Sequence, residues 1–383
     1  MKNDQQAGLY IHVPFCTSVC PYCDFAVLIA GAERRAEYLD MLVAEIELCR
    51  GEGWEFDTVY IGVGTPSSLD EEQLRRIISA TRDGFQISGT AAIALEANPE
   101  DVDERRVALW RELGLRTVSL GVQSMDDAAL GFLGRSHDAS QARRSLEILR
   151  AADFNSVSVD LVYGLPGQDE LGWMHQLEVV LAFEPDHLSC YQLTVHDGTV
   201  FGRRRARGQL VELEEDSQAR LFLLTHRVLA DAGYEGYEVS NFTRSPEHRS
   251  CHNRKYWEHA PYLGLGPAAH SFRGDRRWWN VRKLRLWAAA VAEGRRPIAG
   301  EERLRACDMA LEAVLLGLRT VVGVDLEQVR RRFFIDLEAA NVELVERLCQ
   351  LGLLRRQDTR LAPTLEGMAV ADTIARAMVV PGL

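Results

Sequence analysis

Between residue 9 and about residue 195 the chain repeats one unit: a short β-branched or aromatic run, a turn, then an amphipathic helix. The runs are Leu9–Val13, Thr58–Val63, Ala92–Glu96, Thr117–Val122, Ser156–Tyr163 and His187–Leu193. Helical periodicity covers Arg34–Leu48, Glu72–Thr81, Glu104–Leu113, Ala139–Ala151 and Leu171–Phe183. Strands alternating with helices predict parallel βαβ units. Right-handed crossovers curl such units into a partial barrel or an open sheet. In either case chemistry belongs at the carboxyl ends of the strands.

The residues able to do chemistry fall there. The first strand runs into Cys16, Cys20 and Cys23, at C-x3-C-x2-C spacing. The second runs into Gly62-Val63-Gly64-Thr65, the third into Glu96-Ala97-Asn98-Pro99, and the fourth into Gly121-Val122-Gln123-Ser124. The fifth carries Asp160, and the sixth leads into Thr194-Val195-His196-Asp197. Thiolates are soft ligands suited to iron–sulfur clusters, and a compact loop can aim several at one cube. A cubane has four irons, so three cysteines leave one iron open to a small molecule, as in a catalytic zinc site. Zinc itself would need a fourth ligand, for which His12 is the candidate, since no second C-x2-C follows.

Length and charge narrow the class. A chain of 383 residues holds one large domain and one or two smaller ones. Its hydrophobic content of 46% and charged content of 26% are those of a globular protein. A net charge of -12 opposes general binding to nucleic acid or to a membrane surface. Runs such as Arg203-Arg204-Arg205 and Arg330-Arg331-Arg332 read as solvated faces, the first within a turn-rich break over Arg203–Gly208. Met1 to Gly8 is short and polar, and no apolar run approaches a membrane span, so no signal segment or stable membrane insertion is expected. Cys49, Cys307 and Cys349 in helical patterns and Cys190 in a strand pattern read as small buried apolar residues. The expected compartment is the cytoplasm, which disfavours disulfides.

Beyond residue 200 the period changes. Glu214–Ala232 reads as a long helix, Tyr237–Phe242 as a strand, and a loop leads to Cys251-His252-Asn253-Arg254-Lys255-Tyr256-Trp257. Trp278, Trp279 and Trp287 end this region. Helices over Leu304–Leu318, Leu326–Phe334 and Val342–Leu351, then a hairpin pattern at Leu353–Arg355 and Arg360–Ala362, suggest a winged-helix-like domain that serves packing or partner docking. The expected division is residues 1–200, an α+β extension over 201–300, and a C-terminal domain over 301–383.

The run Tyr10-x-His12-x-Pro14-Phe15-Cys16 with the cysteine spacing resembles the radical S-adenosylmethionine (SAM) family, in the branch of oxygen-independent coproporphyrinogen oxidase and the heme chaperone HemW. The resemblance implies an α/β fold, a partial (β/α)6 barrel with an α+β extension. It implies a [4Fe–4S] cluster on Cys16, Cys20 and Cys23, and SAM chelated to the open iron. Residues matching the family's SAM contacts are Tyr10, Gly62, Val63, Gly64, Thr65, Glu96, Gln123, Arg135 and Asp160. A strand-end carboxylate suits ribose hydroxyls or an amino group, and an arginine fork suits a carboxylate. The family has three glycines where this chain has Gly62-Val63-Gly64. If the middle position needs a positive φ, Val63 costs roughly 1–3 kcal/mol of strain.

Residue 25 separates the branch's members. The decarboxylating enzyme carries a further cysteine there and a long arm before its Tyr-x-His motif; here Phe25 stands in that place and nine residues precede Tyr10. His252-Asn253-x-x-Tyr256-Trp257 matches the signature associated with heme binding in the chaperone, and an imidazole is a common haem ligand. The resemblance therefore implies a heme chaperone that passes heme to an acceptor protein, with an electron donor for the cluster; a homodimer stays open. The alternatives are an oxidoreductase acting on a porphyrinogen or a heme, and a degenerate barrel kept as a binding module, which Val63 favours.

Overall fold

The structure, a computed structural model, describes residues 6–383. Its frame is six parallel strands: β1 (Ala7–His12), β2 (Glu55–Gly62), β3 (Gln86–Ala97), β4 (Thr117–Gln123), β5 (Ser156–Tyr163) and β6 (His187–Gln192), paired in chain order. Between them run α1 (Ala32–Cys49), α2 (Glu71–Gly84), α3 (Glu104–Glu112), α4 (Asp127–Leu133), α5 (Ala139–Ala151) and α6 (Glu170–Leu181). Except for α1, each of these helices opens on an aspartate. Asp70, Asp103, Asp126, Asp138 and Asp169 accept the first free backbone N–H groups, which fixes where each turn ends.

Side chains alternate along each strand. Val59, Ile61, Leu95, Val118, Leu120, Val159, Leu161 and Leu188 point outward, fully buried in the main core under the helices. The opposite positions face a single cavity of about 620 Å³. Residues from β2 to β6 line that one space, so the sheet is wrapped around it. The curl stays open, because β6 pairs with a later strand at Asn241–Thr243 rather than with β1.

The region past residue 200 extends this sheet at both edges. After α7 (Val200–Ala206) and α8 (Glu215–Asp231), β7 (Glu235–Gly236) and β8 (Asn241–Thr243) join beyond β6. After α9 (Cys251–Trp257), β9 (Tyr262–Leu265) pairs parallel with β1. Then β10 (His270–Arg273), β11 (Arg276–Asn280) and, after α10 (Leu284–Ala292), β12 (Ile298–Arg303) follow antiparallel. Two expectations are corrected here. The basic segment at 203–208 is largely helix, capped by Thr199, rather than a turn-rich break. Tyr237–Phe242 is not one strand, because Glu238 turns inward, buried, between β7 and β8. Over 262–303, where the sequence offered a tryptophan cluster within the α+β extension and no assigned strands, the chain forms four strands and a helix.

A second core begins at α11 (Ala306–Gly317). It gathers β13 (Val324–Asp325), α12 (Leu326–Phe333), α13 (Leu337–Ala340), α14 (Val342–Gln350), β14 (Leu354–Gln357), β15 (Arg360–Pro363), α15 (Leu365–Ala369) and α16 (Ala371–Ala377), with the small sheet in the order β13-β15-β14. This is the expected helix-plus-wing arrangement. It docks on the barrel's extension through Glu312, which pairs with His259 and Arg277. Among the described residues no helix is long and apolar enough to cross a membrane.

Candidate functional site at the open end of the barrel

Where β1 ends, its backbone continues as a loop pinned from several sides. The Tyr38 hydroxyl donates to the His12 carbonyl at 2.8 Å, the Leu28 N–H to the Pro14 carbonyl at 2.8 Å, and the Cys16 N–H to the Leu28 carbonyl at 3.1 Å. His12 is buried, its Nε2 hydrogen-bonded with the Ala26 carbonyl at 3.0 Å, and burial lowers its pKa to about 4. It braces the loop and does not turn toward the thiols. Cys16, Cys20 and Cys23 are all free and half-buried on the cavity wall. Burial pushes the thiols of Cys16 and Cys23 up. Among the described residues no three His, Cys, Asp or Glu side chains converge on a single metal ion. A cubane asks for less convergence, since each thiolate takes a different iron.

The loop after β2 packs against this one. Gly64 has φ +65°, and a Cβ there would stand 2.5 Å from the Val13 carbonyl oxygen; the Thr65 N–H donates to the Phe15 carbonyl at 2.6 Å. Val63 has φ +59°, the left-handed region that a β-branched side chain rarely enters. The turn aims the Val63 N–H at Glu96 Oε2, 2.8 Å away. Gly62 is needed beside it, because a Cβ would stand 2.8 Å from Glu96 Oε1. Glu96 is half-buried on the cavity wall, and burial raises its pKa to about 7, against the pull of the Val63 N–H and the Tyr60 hydroxyl.

Arg135 follows Gly134, the left-handed cap of α4, and Ser136 and His137 behind it bond Glu100 and the Val122 carbonyl. The guanidinium donates to Asn98 Oδ1 at 2.7 Å and the Gly121 carbonyl at 3.1 Å, and reaches Cys20 Sγ at 3.5 Å. Its Nε is buried with no partner, a donor left over inside the cavity wall. Gln123, at φ +66°, ends β4 beside it. Deeper in, Asp160 accepts from the Ser119 hydroxyl at 2.9 Å, and burial raises its pKa.

The predicted residues Cys16, Cys20, Cys23, Val63, Gly64, Thr65, Glu96, Gln123, Arg135, Asp160 and His252 all line the one cavity. Tyr10 and Gly62 do not: Tyr10 stacks at 6.4 Å on Tyr60, which does. Residues that sequence reasoning missed are Tyr60, Ser119, Ser158, Ser189 and Tyr191. Their signal was polar residues at every second strand position: Thr117, Ser119, Gly121, Gln123 on one strand, Ser156, Ser158, Asp160 on the next, His187, Ser189, Tyr191 on the last.

His252 sits at the other end of the cavity, on a helix that packs across the amino ends of β1 and β2. Lys255 Nζ there donates to the Gln6 carbonyl at 2.8 Å and pairs with Asp57. Sequence reading expected an imidazole free for iron. In this conformation neither nitrogen is free: Nδ1 is hydrogen-bonded with the Thr58 hydroxyl at 3.0 Å and Nε2 with the Tyr256 hydroxyl at 2.9 Å. The ring stacks on Tyr60 at 5.2 Å, and burial lowers its pKa to about 3.

A six-stranded partial barrel with three thiols on the loop after its first strand is the architecture of radical SAM proteins. A family model described as the radical SAM superfamily matches residues 10–175, and one described as the HemN C-terminal domain matches residues 304–370. The heme chaperone HemW of Mycobacterium tuberculosis is 35% identical over 379 residues, 98% of this chain and 95% of that protein. HemW of Bacillus subtilis is 29% identical, covering 95% and 97%. The mouse mitochondrial radical S-adenosyl methionine domain-containing protein 1 is 35% identical, covering 96% and 86%. The solved coproporphyrinogen III oxidase (HemN) of Escherichia coli superposes with a TM-score of 0.84 over 97% of this chain and 89% of that one, at 22% identity, a likeness of fold. The chain belongs to the HemW family of radical SAM proteins.

Proposed function

We propose that this protein is a heme chaperone: it carries a [4Fe–4S] cluster with SAM at the open end of its barrel, binds heme, and transfers it to an acceptor protein. The observation that carries the reading is the thiol set, three free cysteines on one braced loop facing a cavity whose remaining wall is built of amino-acid- and ribose-binding groups. The donor chemistry fits both cofactors. Cys16, Cys20 and Cys23 would hold the cluster, and its fourth iron would be left for SAM. Arg135, with its spare buried Nε, suits the carboxylate of SAM, Glu96 its amino group, and Asp160 with its serine neighbours the ribose hydroxyls. When both cofactors are bound, the cluster supplies an electron to SAM.

Around them, the chain's own residues fix and shield. The Val63 N–H and the Tyr60 hydroxyl hold the Glu96 carboxylate in place before any ligand arrives. Arg135 donates toward Cys20, so one cation touches both the cluster loop and the SAM side of the cavity. The reading includes a reductant for the cluster and a reducing compartment, for which the unpaired cysteines speak. Heme ligation by His252 requires that its Tyr256 bond open first.

The test is anaerobic reconstitution followed by spectra with and without SAM and hemin. Four irons per chain, a SAM-dependent change of the cluster signal, and hemin released to an apo-hemoprotein are the expected results. Conversion of coproporphyrinogen to protoporphyrinogen by the same sample would replace the chaperone with the oxidoreductase. Phe25, exposed where that enzyme carries a cysteine, speaks against it.

A further inference from the structure

Two basic segments, the arginine run at 203–207 and the turn at 282–285, have no part in holding cluster, SAM or heme, yet both grip the cysteine loop. The helix α7 carries the run and packs on the loop from one side. The Phe201 N–H donates to the Pro21 carbonyl at 2.9 Å, and the buried Phe201 ring lies beside Tyr22. On the other side, Arg282 donates to the Asp24 carbonyl at 2.8 Å, just before α10. Exposed Arg203, Arg204 and Arg207 on the first flank, and Arg282, Lys283 and Arg285 on the second, make no ion pair among the described residues. The acids closest in the chain do not cancel them. Asp24 faces His196 at 3.6 Å, Asp197 pairs with Arg205 at 2.6 Å, and Glu33 at the start of α1 stands next to exposed Arg34.

Between these flanks the loop shows apolar side chains to solvent. Phe25 is 63% exposed and Val19 48%, both at the mouth of the cavity, and Ile29 follows at 62%. Large apolar side chains rimmed by charge mark a surface that meets another molecule. In a chain of net charge -12, unpaired cations on both sides of such a patch reverse the sign locally. A field of one sign draws in a partner of the opposite sign and orients it. Heme, read at His252, lies at the other end of the barrel and does not account for this rim. What the open end does require is an electron, and it has to enter beside Cys16, Cys20 and Cys23, which this loop carries.

We infer that the rim around the cysteine loop is the docking face for a small acidic one-electron carrier protein, with Phe25, Val19 and Ile29 at the centre of the contact and the two cationic flanks steering it. The inference rests on the reading that this loop holds a reducible cluster, and it names the surface and the class of partner. The step moves one electron: the carrier is oxidised by one, the cluster is reduced by one, and no atom passes between the two proteins. Redox contacts of this kind are small and transient, so charge acts on the rate of encounter more than on affinity.

The experiment follows anaerobic reduction of the cluster by absorbance in the reconstituted full-length protein. One probe is the hydroquinone of an acidic flavodoxin, and the other is photoreduced deazaflavin, a small reductant that needs no docking face. The variants are Arg203→Glu with Arg204→Glu, Lys283→Glu with Arg285→Glu, and, on exposed positions of α5, Arg143→Glu with Arg144→Glu. At low salt flavodoxin is expected to reduce each flank variant about tenfold or more slowly than the parent, and added salt is expected to slow the parent toward them. The α5 variant changes the net charge by the same amount and is expected to keep the parent's rate. Deazaflavin is expected to reduce every variant to the parent's extent, with the parent's iron and sulfide content, which shows that each is folded and loaded. Flank variants reduced at the parent's rate, a parent rate indifferent to salt, or a parent that deazaflavin reduces and flavodoxin does not, each overturn the docking face. An α5 variant as slow as the flank variants overturns it too, since net charge alone then sets the rate. In all these cases the cluster reading stands. A parent that takes up no cluster, or one whose cluster deazaflavin leaves oxidised, removes the cluster reading and this face together.

Discussion

The two ends of the barrel are built on opposite rules. At the amino end, α9 closes the lumen and the histidines and lysine there are paired: His252 bridges Thr58 and Tyr256, Lys255 meets Asp57 and the Gln6 carbonyl, and His187 bridges Ser158 and Tyr237, while Trp257 Nε1 and Ser156 Oγ stay buried without a partner. At the carboxyl end, three thiols stand free, Arg135 keeps a buried Nε without a partner, Glu96 is half-buried without a cation, and Val63 and Gln123 hold left-handed backbone. Pairing every buried polar group stabilises a fold, and leaving one open is unfavourable. What sets the carboxyl end apart is its charge-bearing and soft groups: free thiols, a spare guanidinium donor and a carboxylate without a cation suit it to ligands that complete it. The pairing of His252 and Lys255 marks the amino end, despite its motif, as a strut in this conformation.

The sharpest way to break the comparison is to remove the thiols. Changing Cys16, Cys20 and Cys23 together to Ala is expected to abolish bound iron and sulfide while leaving the far-ultraviolet circular dichroism and the closed end intact. Retention of four irons by the triple variant would sink the assignment of the open end.

The Glu96 carboxylate gives the next largest effect. The pKa of Glu96 lies at about 7 in the folded chain, above its ordinary 4.5. A raised pKa contributes stability that is present below 4.5 and lost as pH rises through 7. In cluster-free protein at pH 8, Glu96→Gln is accordingly expected to raise stability by about 1–3 kcal/mol in urea unfolding, while weakening SAM binding in the reconstituted form. A variant that loses stability at pH 8 would show that Glu96 is paired in ways the open-end argument denies.

The closed end has the opposite sign. His252 titrates at about 3, below its ordinary 6.5, because burial disfavours the charged ring. Its contribution is complete above 6.5 and is lost as pH falls toward 3. His252→Phe keeps the aromatic volume and removes the proton site. Its stability is expected to fall by about 2 kcal/mol less than the parent's between pH 6.5 and 5, measured by urea midpoints. Parallel acid limbs in the two proteins would mean that the imidazole is solvated and free to bind elsewhere.

What could be read in advance follows the same division. The six strands and the cysteine loop were legible, because outward Val, Ile and Leu alternate with strand-end residues that have few other reasons to be there. The lumen wall was not, because Thr117, Ser119, Ser156 and Ser158 are ordinary small residues until the sheet curls them to one side. The strands from Tyr262 to Arg303 were hidden by their content: His270, Arg273, Arg276 and Arg277 make them polar, and their buried positions include Ser271 and Asn280 beside Phe272 and Trp278, so no hydrophobic alternation shows. The closure of His252 depended on Thr58, 194 residues away in the chain. No local pattern reports a partner at that distance.

The smallest effect tests whether strain at the open end is a defect or a device. Val63 sits at φ +59°, where a β-branched side chain costs roughly 1–3 kcal/mol. Glycine removes that strain but adds freedom to the unfolded chain, which costs about 0.5–1 kcal/mol. Val63→Gly is therefore expected to change stability by about 1 kcal/mol in the favourable direction, and to leave SAM affinity equal or higher in calorimetry. The competing outcome has a structural cause. Once folded into this turn, valine has little freedom to leave it, and that stiffness keeps the Val63 N–H 2.8 Å from Glu96. Glycine can rotate the N–H away and leave the Glu96 carboxylate without its backbone donor. A clear loss of SAM affinity with unchanged stability would mean that the stiffness of Val63 preorganises the Glu96 side of the site, and the strain argument would have to be given up.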